Sequence, residues 1–197
     1  MANITICNFK GGVGKSLLAH QLITSFGYRG IEIDPYGSLA DRLPERVEKV
    51  DITATTLPQV ENTIFDFGGF DDRKLDLAIE QSGLILVPFI PTLESVQGTA
   101  DTLLRIKGFE VPILLVANMV QKPEDVQDAK FVFEDLLQTE LEIFQIPLSI
   151  AFQTAINENR SILELADQGG IKGFAYRKAK GILEELHSLI QSYTQIT

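Results

Sequence analysis

The run Lys10-Gly11-Gly12-Val13-Gly14-Lys15-Ser16 concentrates the residue types that hold a polyphosphate. Glycines let consecutive backbone amides turn inward and approach phosphate oxygens closely. A lysine closing such a loop reaches the β and γ oxygens, and the hydroxyl after it binds Mg2+. In this chain those residues are Lys15 and Ser16. The ordinary pattern starts with a glycine five residues before Gly14, but Phe9 stands there and an extra lysine, Lys10, heads the loop. Two aspartates end short apolar runs: Asp34 after Gly30–Ile33 and Asp66 after Thr63–Phe65. A carboxylate at such a strand exit can accept a hydrogen bond from an attacking water or face a phosphate-bound cation.

These side chains work only if the elements around them bring them together. Ile4–Cys7 reads as a buried strand leading into the loop, and Lys15–Phe26 as the helix that receives it. On that helix Leu18, Leu22 and Phe26 recur at helical spacing. A helix N-terminus beneath the loop adds its partial positive charge to the anion site. Gly30–Ile33, a short strand within Glu45–Asp51, Thr63–Phe65, Leu84–Phe89, Ile113–Val116 and Ile143–Ile146 read as further strands. Two of them, Leu84–Phe89 and Ile113–Val116, are continuously apolar, as strands covered on both faces are. Val96–Ile106, Glu124–Leu137 and Ala175–Tyr193 read as helices. Strand and helix alternate, so the expected fold is α/β: a doubly wound, mostly parallel sheet in a single domain over residues 1–197.

Composition removes several other chemistries. The lone cysteine, Cys7, excludes disulfide scaffolds and cysteine-ligated clusters within one chain, and two histidines, His20 and His187, exclude a His-rich metal site. Cys7 reads as a buried small hydrophobe. No transmembrane segment or secretion signal is visible, so a cytoplasmic location is expected. The net charge is −10, which on average opposes nucleic-acid binding. One local exception is the acid-free stretch between Gly169 and Gly181, which holds Lys172, Arg177, Lys178 and Lys180.

The lysine-headed loop resembles the deviant Walker A loop of the ParA/MinD family of ATPases, and the likeness extends along nearly the whole chain. Glu32-Ile33-Asp34-Pro35-Tyr36-Gly37-Ser38 resembles that family's switch I segment, with Glu32 and Tyr36 departing from its commonest residues. Thr63-Ile64-Phe65-Asp66 resembles the Walker B strand, followed by Gly68-Gly69 where a small residue and proline are usual. Pro88-Phe89-Ile90-Pro91 resembles the Pro-x-x-Pro segment of ParA proteins, and Ile146-Pro147-Leu148 the loop that closes over adenine.

The resemblance implies ATP or ADP with Mg2+ as cofactors. Gly11, Gly12, Val13, Gly14, Lys15, Ser16, Leu17, Asn118 and Pro147 are the implied nucleotide contacts. Lys10, Lys15 and Asp34 are the implied catalytic residues, and Ser16, Asp34 and Asp66 the implied metal ligands. Lys10 matches the lysine that reaches across a nucleotide-sandwich dimer, and Asp34 the aspartate that orients the water. Asn118 matches an asparagine set against adenine; the acid of a guanine-selective Asn-Lys-x-Asp motif is missing after it, which favours ATP over GTP.

The expected activity is that of a short ParA-type partition ATPase without an N-terminal helix-turn-helix extension. Its ATP-driven homodimer would hold nonspecific DNA through Lys172, Arg177, Lys178 and Lys180, and a ParB-like adaptor or other partner would stimulate hydrolysis and release. Location on the nucleoid follows. The alternatives are a MinD-like ATPase acting at a membrane surface or on a protein cargo, and an ATP-dependent carboxylating ligase. Glu184 and Glu185 on the last helix speak against a membrane helix there, and a lysine at position 10 is not usual in the ligases.

Overall fold

The computed structural model describes residues 2–194. Seven strands form one sheet: β1 (Asn3–Ile6), β2 (Arg29–Ile33), β3 (Val47–Lys49), β4 (Thr63–Phe67), β5 (Ser82–Phe89), β6 (Ile113–Val120) and β7 (Ile143–Pro147). Their order is β3-β2-β4-β1-β5-β6-β7 and every pairing is parallel, so the mostly parallel expectation becomes an all-parallel sheet. The helices are α1 (Lys15–Phe26), α2 (Leu39–Arg42), α3 (Lys74–Glu80), α4 (Leu93–Ile106), α5 (Pro123–Leu137), α6 (Ile150–Asn157), α7 (Ile162–Ala166) and α8 (Gly170–Thr194).

Alternation along the strands divides the core in two. On β1 and β5, Ile4, Ile6, Leu84 and Leu86 face a cluster that includes Leu18 and Leu22 of α1 and Leu183 and Leu186 of α8. The intervening Cys7, Ile85, Val87 and Phe89 face Ala78 of α3, Leu103 of α4 and Phe133 of α5. Both faces of a strand such as β5 are therefore dry, which is why its sequence is continuously apolar rather than alternating.

β1 lies between β4 and β5, so the loops leaving β1 and β4 meet where the chain switches direction across the sheet, the place where open α/β sheets bind ligands. Four helices lie outside the sequence reading: α2, α3, α6 and α7. α8 begins at Gly170 rather than Ala175. β4 continues to Phe67, so Asp66 sits within the strand, and β6 continues to Val120, so Asn118 lies inside it instead of ending it. Among the described residues no helix is long and apolar enough to cross a membrane.

Candidate functional site

The loop between β1 and α1 is fastened at its head. The buried Asn8 donates through Nδ2 to Pro88 O (2.8 Å) and Thr99 Oγ1 (2.8 Å), while its Oδ1 accepts from Lys10 N (2.8 Å). Phe9 N donates to Thr102 Oγ1 at 2.9 Å. Sequence reasoning missed these three supports. Their signal was present, because Ser95, Thr99 and Thr102 repeat at helical spacing and all three are buried on α4. At its far end the loop needs left-handed backbone at Gly12 (φ 78°) and Gly14 (φ 96°), conformations that glycine adopts without steric cost.

Inside the loop the Lys15 ammonium is buried and donates to the carbonyls of Asn8 (3.0 Å) and Lys10 (3.1 Å). Burial pushes its pKa down, against the opposing charges of Asp66 and Asp34. Lys10 points the other way: its half-exposed ammonium pairs with Glu94 Oε2 at 3.3 Å on the rim. The two lysines of the motif are thus separated, one facing the loop interior and one at the edge. Cys7 beneath the loop is a thiol pushed up to about 12 by burial, so it is neither a nucleophile nor a ligand at neutral pH.

Asp66 is fully buried, and neither of its carboxylate oxygens has a hydrogen-bond partner of normal geometry. Desolvation lifts its pKa to about 7; the neighbouring Ser16 hydroxyl and Lys15 ammonium pull it down, while Glu32 and Asp34 add to the rise. An orphaned carboxylate beside a hydroxyl at the foot of a phosphate-type loop fits a cation, which would satisfy both oxygens. Among the described residues no cluster of three or more His, Cys, Asp or Glu could hold a metal alone. A cation at Ser16 and Asp66 would take its other ligands from phosphate and water, as Mg2+ does.

Asp34 lies at the exit of β2. Its Oδ1 accepts from Tyr36 N at 2.9 Å and its carbonyl from Gly37 N at 3.0 Å, so it heads a tight turn. The glycine pair after β4 closes the arrangement from the other side. A Cβ on Gly69 would sit 3.1 Å from Gly11 N and 3.2 Å from Gly11 Cα, and one on Gly68 would sit 3.1 Å from Asp34 Cγ. Gly68 and Gly69 thereby let the β4 exit lie against both the phosphate-type loop and Asp34.

Two of the expected site residues make contacts of their own. Asn118 borders an open groove, and its amide also supports the phosphate-type loop. Its Nδ2 donates to Val13 O (3.1 Å) and its Oδ1 accepts from Met119 N (3.0 Å), so both ends of the amide support the loop and its own strand. The groove, about 280 Å3, is lined by Asn118 together with Leu17, Met119, Pro147, Leu148 and Phe152. Such a groove takes a planar base by apolar contact. Asn118→Ala strands the Val13 carbonyl, a loss of about 1–3 kcal/mol. We therefore expect it to weaken ATP and GTP binding alike, by roughly tenfold; isothermal titration with both nucleotides checks this, and a change confined to one of them would give Asn118 a base-reading role instead. Of the four basic residues of the last helix, Lys180 pairs its ammonium with Asp167 Oδ1 at 2.7 Å, a solvent-exposed pair. Lys172, Arg177 and Lys178 stay exposed without an ion-pair partner among the described residues, Arg177 lying over the Phe174 ring at 5.4 Å.

Residues 4–162 match the CobQ/CobB/MinD/ParA nucleotide binding domain. No curated protein matches the sequence. Among solved structures, the chain is similar to a Cyanothece McdA variant in complex with ATP (16% identity, covering 95% of this chain and 96% of that one, TM-score 0.61). It is similar to the ParA family ATPase of Chlorobium tepidum (16%, 89% and 95%, TM-score 0.59). It is similar as well to the septum site-determining protein MinD of Pyrococcus horikoshii complexed with Mg-ADP (16%, 98% and 98%, TM-score 0.61). At these identities the structures speak for the fold, while the family match spans most of the chain and includes the whole phosphate-type loop. The chain belongs to the CobQ/CobB/MinD/ParA nucleotide-binding family.

Proposed function

We propose that this chain is an ATPase of the ParA/MinD kind, which positions a cargo by switching between a nucleotide-free monomer and an ATP-bound homodimer that holds nonspecific DNA. The observation that carries this reading is the separation of Lys15, buried among loop carbonyls, from Lys10, whose ammonium makes an exposed pair with Glu94 at the rim. An exposed pair of this sort contributes about 0–1 kcal/mol, so Lys10 can exchange Glu94 for a partner's phosphates at little cost.

The roles divide as follows. The amides of residues 11–14 and the Lys15 ammonium bind the phosphates, with Leu17 and Pro147 against the base. Ser16 and Asp66 hold Mg2+, which neutralises charge on the phosphates. Asp34 orients the water that attacks the terminal phosphorus, and hydrolysis releases the dimer. A ParB-like adaptor or other partner would accelerate that step, and association with the nucleoid would follow from the DNA contact.

Lys172, Arg177 and Lys178 supply the DNA contact in this reading. One copy offers about three phosphate contacts and a two-fold dimer about six; because each adds a counterion-release term, affinity rises by orders of magnitude on dimerisation. A second reading has its own observation. Ile171 and Phe174, 90% and 68% exposed, lie among these cations on α8. Apolar residues interleaved with cations on one helix also suit an anionic membrane surface, as in a MinD-like ATPase. Retention of random duplex DNA and of anionic vesicles, each with ATP and with ADP, separates the two. We expect DNA retention in ATP only, lost in Lys172→Ala/Arg177→Ala/Lys178→Ala and steeply salt-dependent. Equal retention in both nucleotides would end the switch reading, and vesicle binding without DNA binding would favour the second one.

A further inference from the structure

We propose that Glu32 is a positioning residue for ATP hydrolysis: its buried carboxylate is the cap and anchor that fixes the segment from Asp34 to Ala40. Glu32 is fully buried on β2, two residues before Asp34. Its Oε1 accepts from Leu39 N at 2.8 Å and its Oε2 from Ala40 N at 3.2 Å, the first two amides of α2. A helix of four residues has almost no internal hydrogen bonding of its own, and its N-terminal amides have no other partner. Ser38, the residue at the N-cap position, makes no side-chain cap, so Glu32, six positions earlier, supplies it. A carboxylate is also the stronger acceptor for such amides, because its charge meets the positive end of the turn.

Two further contacts make the carboxylate an anchor as well as a cap. Gly37 is packed so closely that a Cβ there would run into Glu32 Oε1. From the edge strand, Lys49 donates to Gly37 O at 2.8 Å and lies 3.7 Å from Glu32 Oε2. Lys49 is the register partner of Glu32 in the β2–β3 pair, so the sheet itself fixes the cation opposite the acid. Asp34 is thus held at both sides of its turn: by β2 before it, and by Gly37, Leu39 and Ala40 after it, all of which converge on one side chain. The sequence marks Glu32 only as a departure from a commoner residue, and the longer side chain is what reaches across to the amides of α2.

This inference rests on the reading that Asp34 orients the water, and the experiment keeps the two apart. Glu32→Gln is nearly isosteric but presents an NH2 group to an amide donor and to the Lys49 ammonium. Gly37→Ala attacks the same contact from the opposite side and leaves Glu32 intact, although its Cβ would also lie 3.0 Å from Asp34 Cβ, so Glu32→Gln carries the test and Gly37→Ala supports it. For both we expect ATP affinity within threefold of the parent, kcat for ATP hydrolysis lower by at least tenfold, and faster amide hydrogen exchange confined to residues 37–40. Glu32→Asp keeps the charge and is expected to recover part of kcat. Asp34→Ala is the control. Parent-like exchange at residues 37–40 in both variants would overturn the anchor. Faster exchange there with unchanged kcat, while Asp34→Ala is inactive, would overturn the positioning role alone. Parent-like hydrolysis in Asp34→Ala would instead reject the role given to Asp34. Equal losses of ATP affinity, kcat and thermal stability in both variants would make Glu32 a fold residue only, and would also overturn the proposal.

Discussion

Lys15→Ala is expected to weaken ATP binding by two to three orders of magnitude while leaving the sheet intact. The ammonium is buried and already held by two loop carbonyls, so its position is set before any nucleotide arrives. Because the side chain is ordered beforehand, little ordering entropy opposes its contact with phosphate oxygens. Removing one partner of a buried charged contact costs about 3–5 kcal/mol, and the lower half of that range is on the order of 10^2–10^3-fold in Kd. The β1 and α1 residues below the loop, Ile4, Ile6, Leu18 and Leu22, belong to a core that does not involve Lys15, so the fold survives. Fluorescence titration with an ATP analogue checks the affinity and circular dichroism the fold. Affinity within threefold of the parent would remove Lys15 from the phosphate site.

Asp66→Asn is expected to make the nucleotide-free protein more stable and the enzyme inactive. The Asp66 carboxyl titrates near 7 in the fold against 3.8 in the unfolded chain. Between these values the folded state binds the extra proton, so stability falls as pH rises through that window, and the whole penalty stands above about pH 7. A shift of that size corresponds to roughly 4 kcal/mol, and a neutral amide avoids most of it. Urea unfolding without nucleotide is therefore expected to show a gain for the variant that is larger at pH 8 than at pH 5. Hydrolysis in Mg2+ is expected to fall at least a hundredfold, because an amide is a poor ligand for a hard cation. A variant no more stable than the parent at pH 8, or one that hydrolyses ATP normally, contradicts this use of Asp66. An isolated, solvent-free carboxylate is a stability defect that function explains.

Much of this was legible because it was local. The strand–loop–helix context of residues 4–26 needs only β-branched residues, glycines and a 3.6-residue period, all visible in sequence. Asp66 was recognisable by its place after Thr63–Phe65, though not its isolation, which depends on β1 and β2 closing over it. What escaped was non-local or short. α2 has four residues and takes its cap from Glu32, so no periodicity could announce it. The first turn of α8 holds Gly170 and Gly173, residues of low helix propensity, so its sequence carries little helical signal. Gly173 is there because a Cβ would lie 2.6 Å from Ala166 O, where α8 passes α7. Lys180 looked free because Asp167, its partner, lies across the Gly169-Gly170 turn. Asn118 meets Val13 from 105 positions away and Lys10 meets Glu94 from 84, separations at which spacing carries no signal.

The central claim, that ATP joins two copies through Lys10, is tested most directly by the mass of the Asp34→Ala protein under Mg-ATP, measured by multi-angle light scattering with and without Lys10→Ala. Asp34→Ala should trap the ATP state, because it removes water orientation and not nucleotide binding. Two triphosphates brought close together then need the cation that Lys10 provides. We predict twice the chain mass for Asp34→Ala in ATP, the single chain mass in ADP, and the single chain mass for Asp34→Ala/Lys10→Ala in ATP. A monomer in every condition, or a dimer that forms equally well without Lys10, would contradict the account.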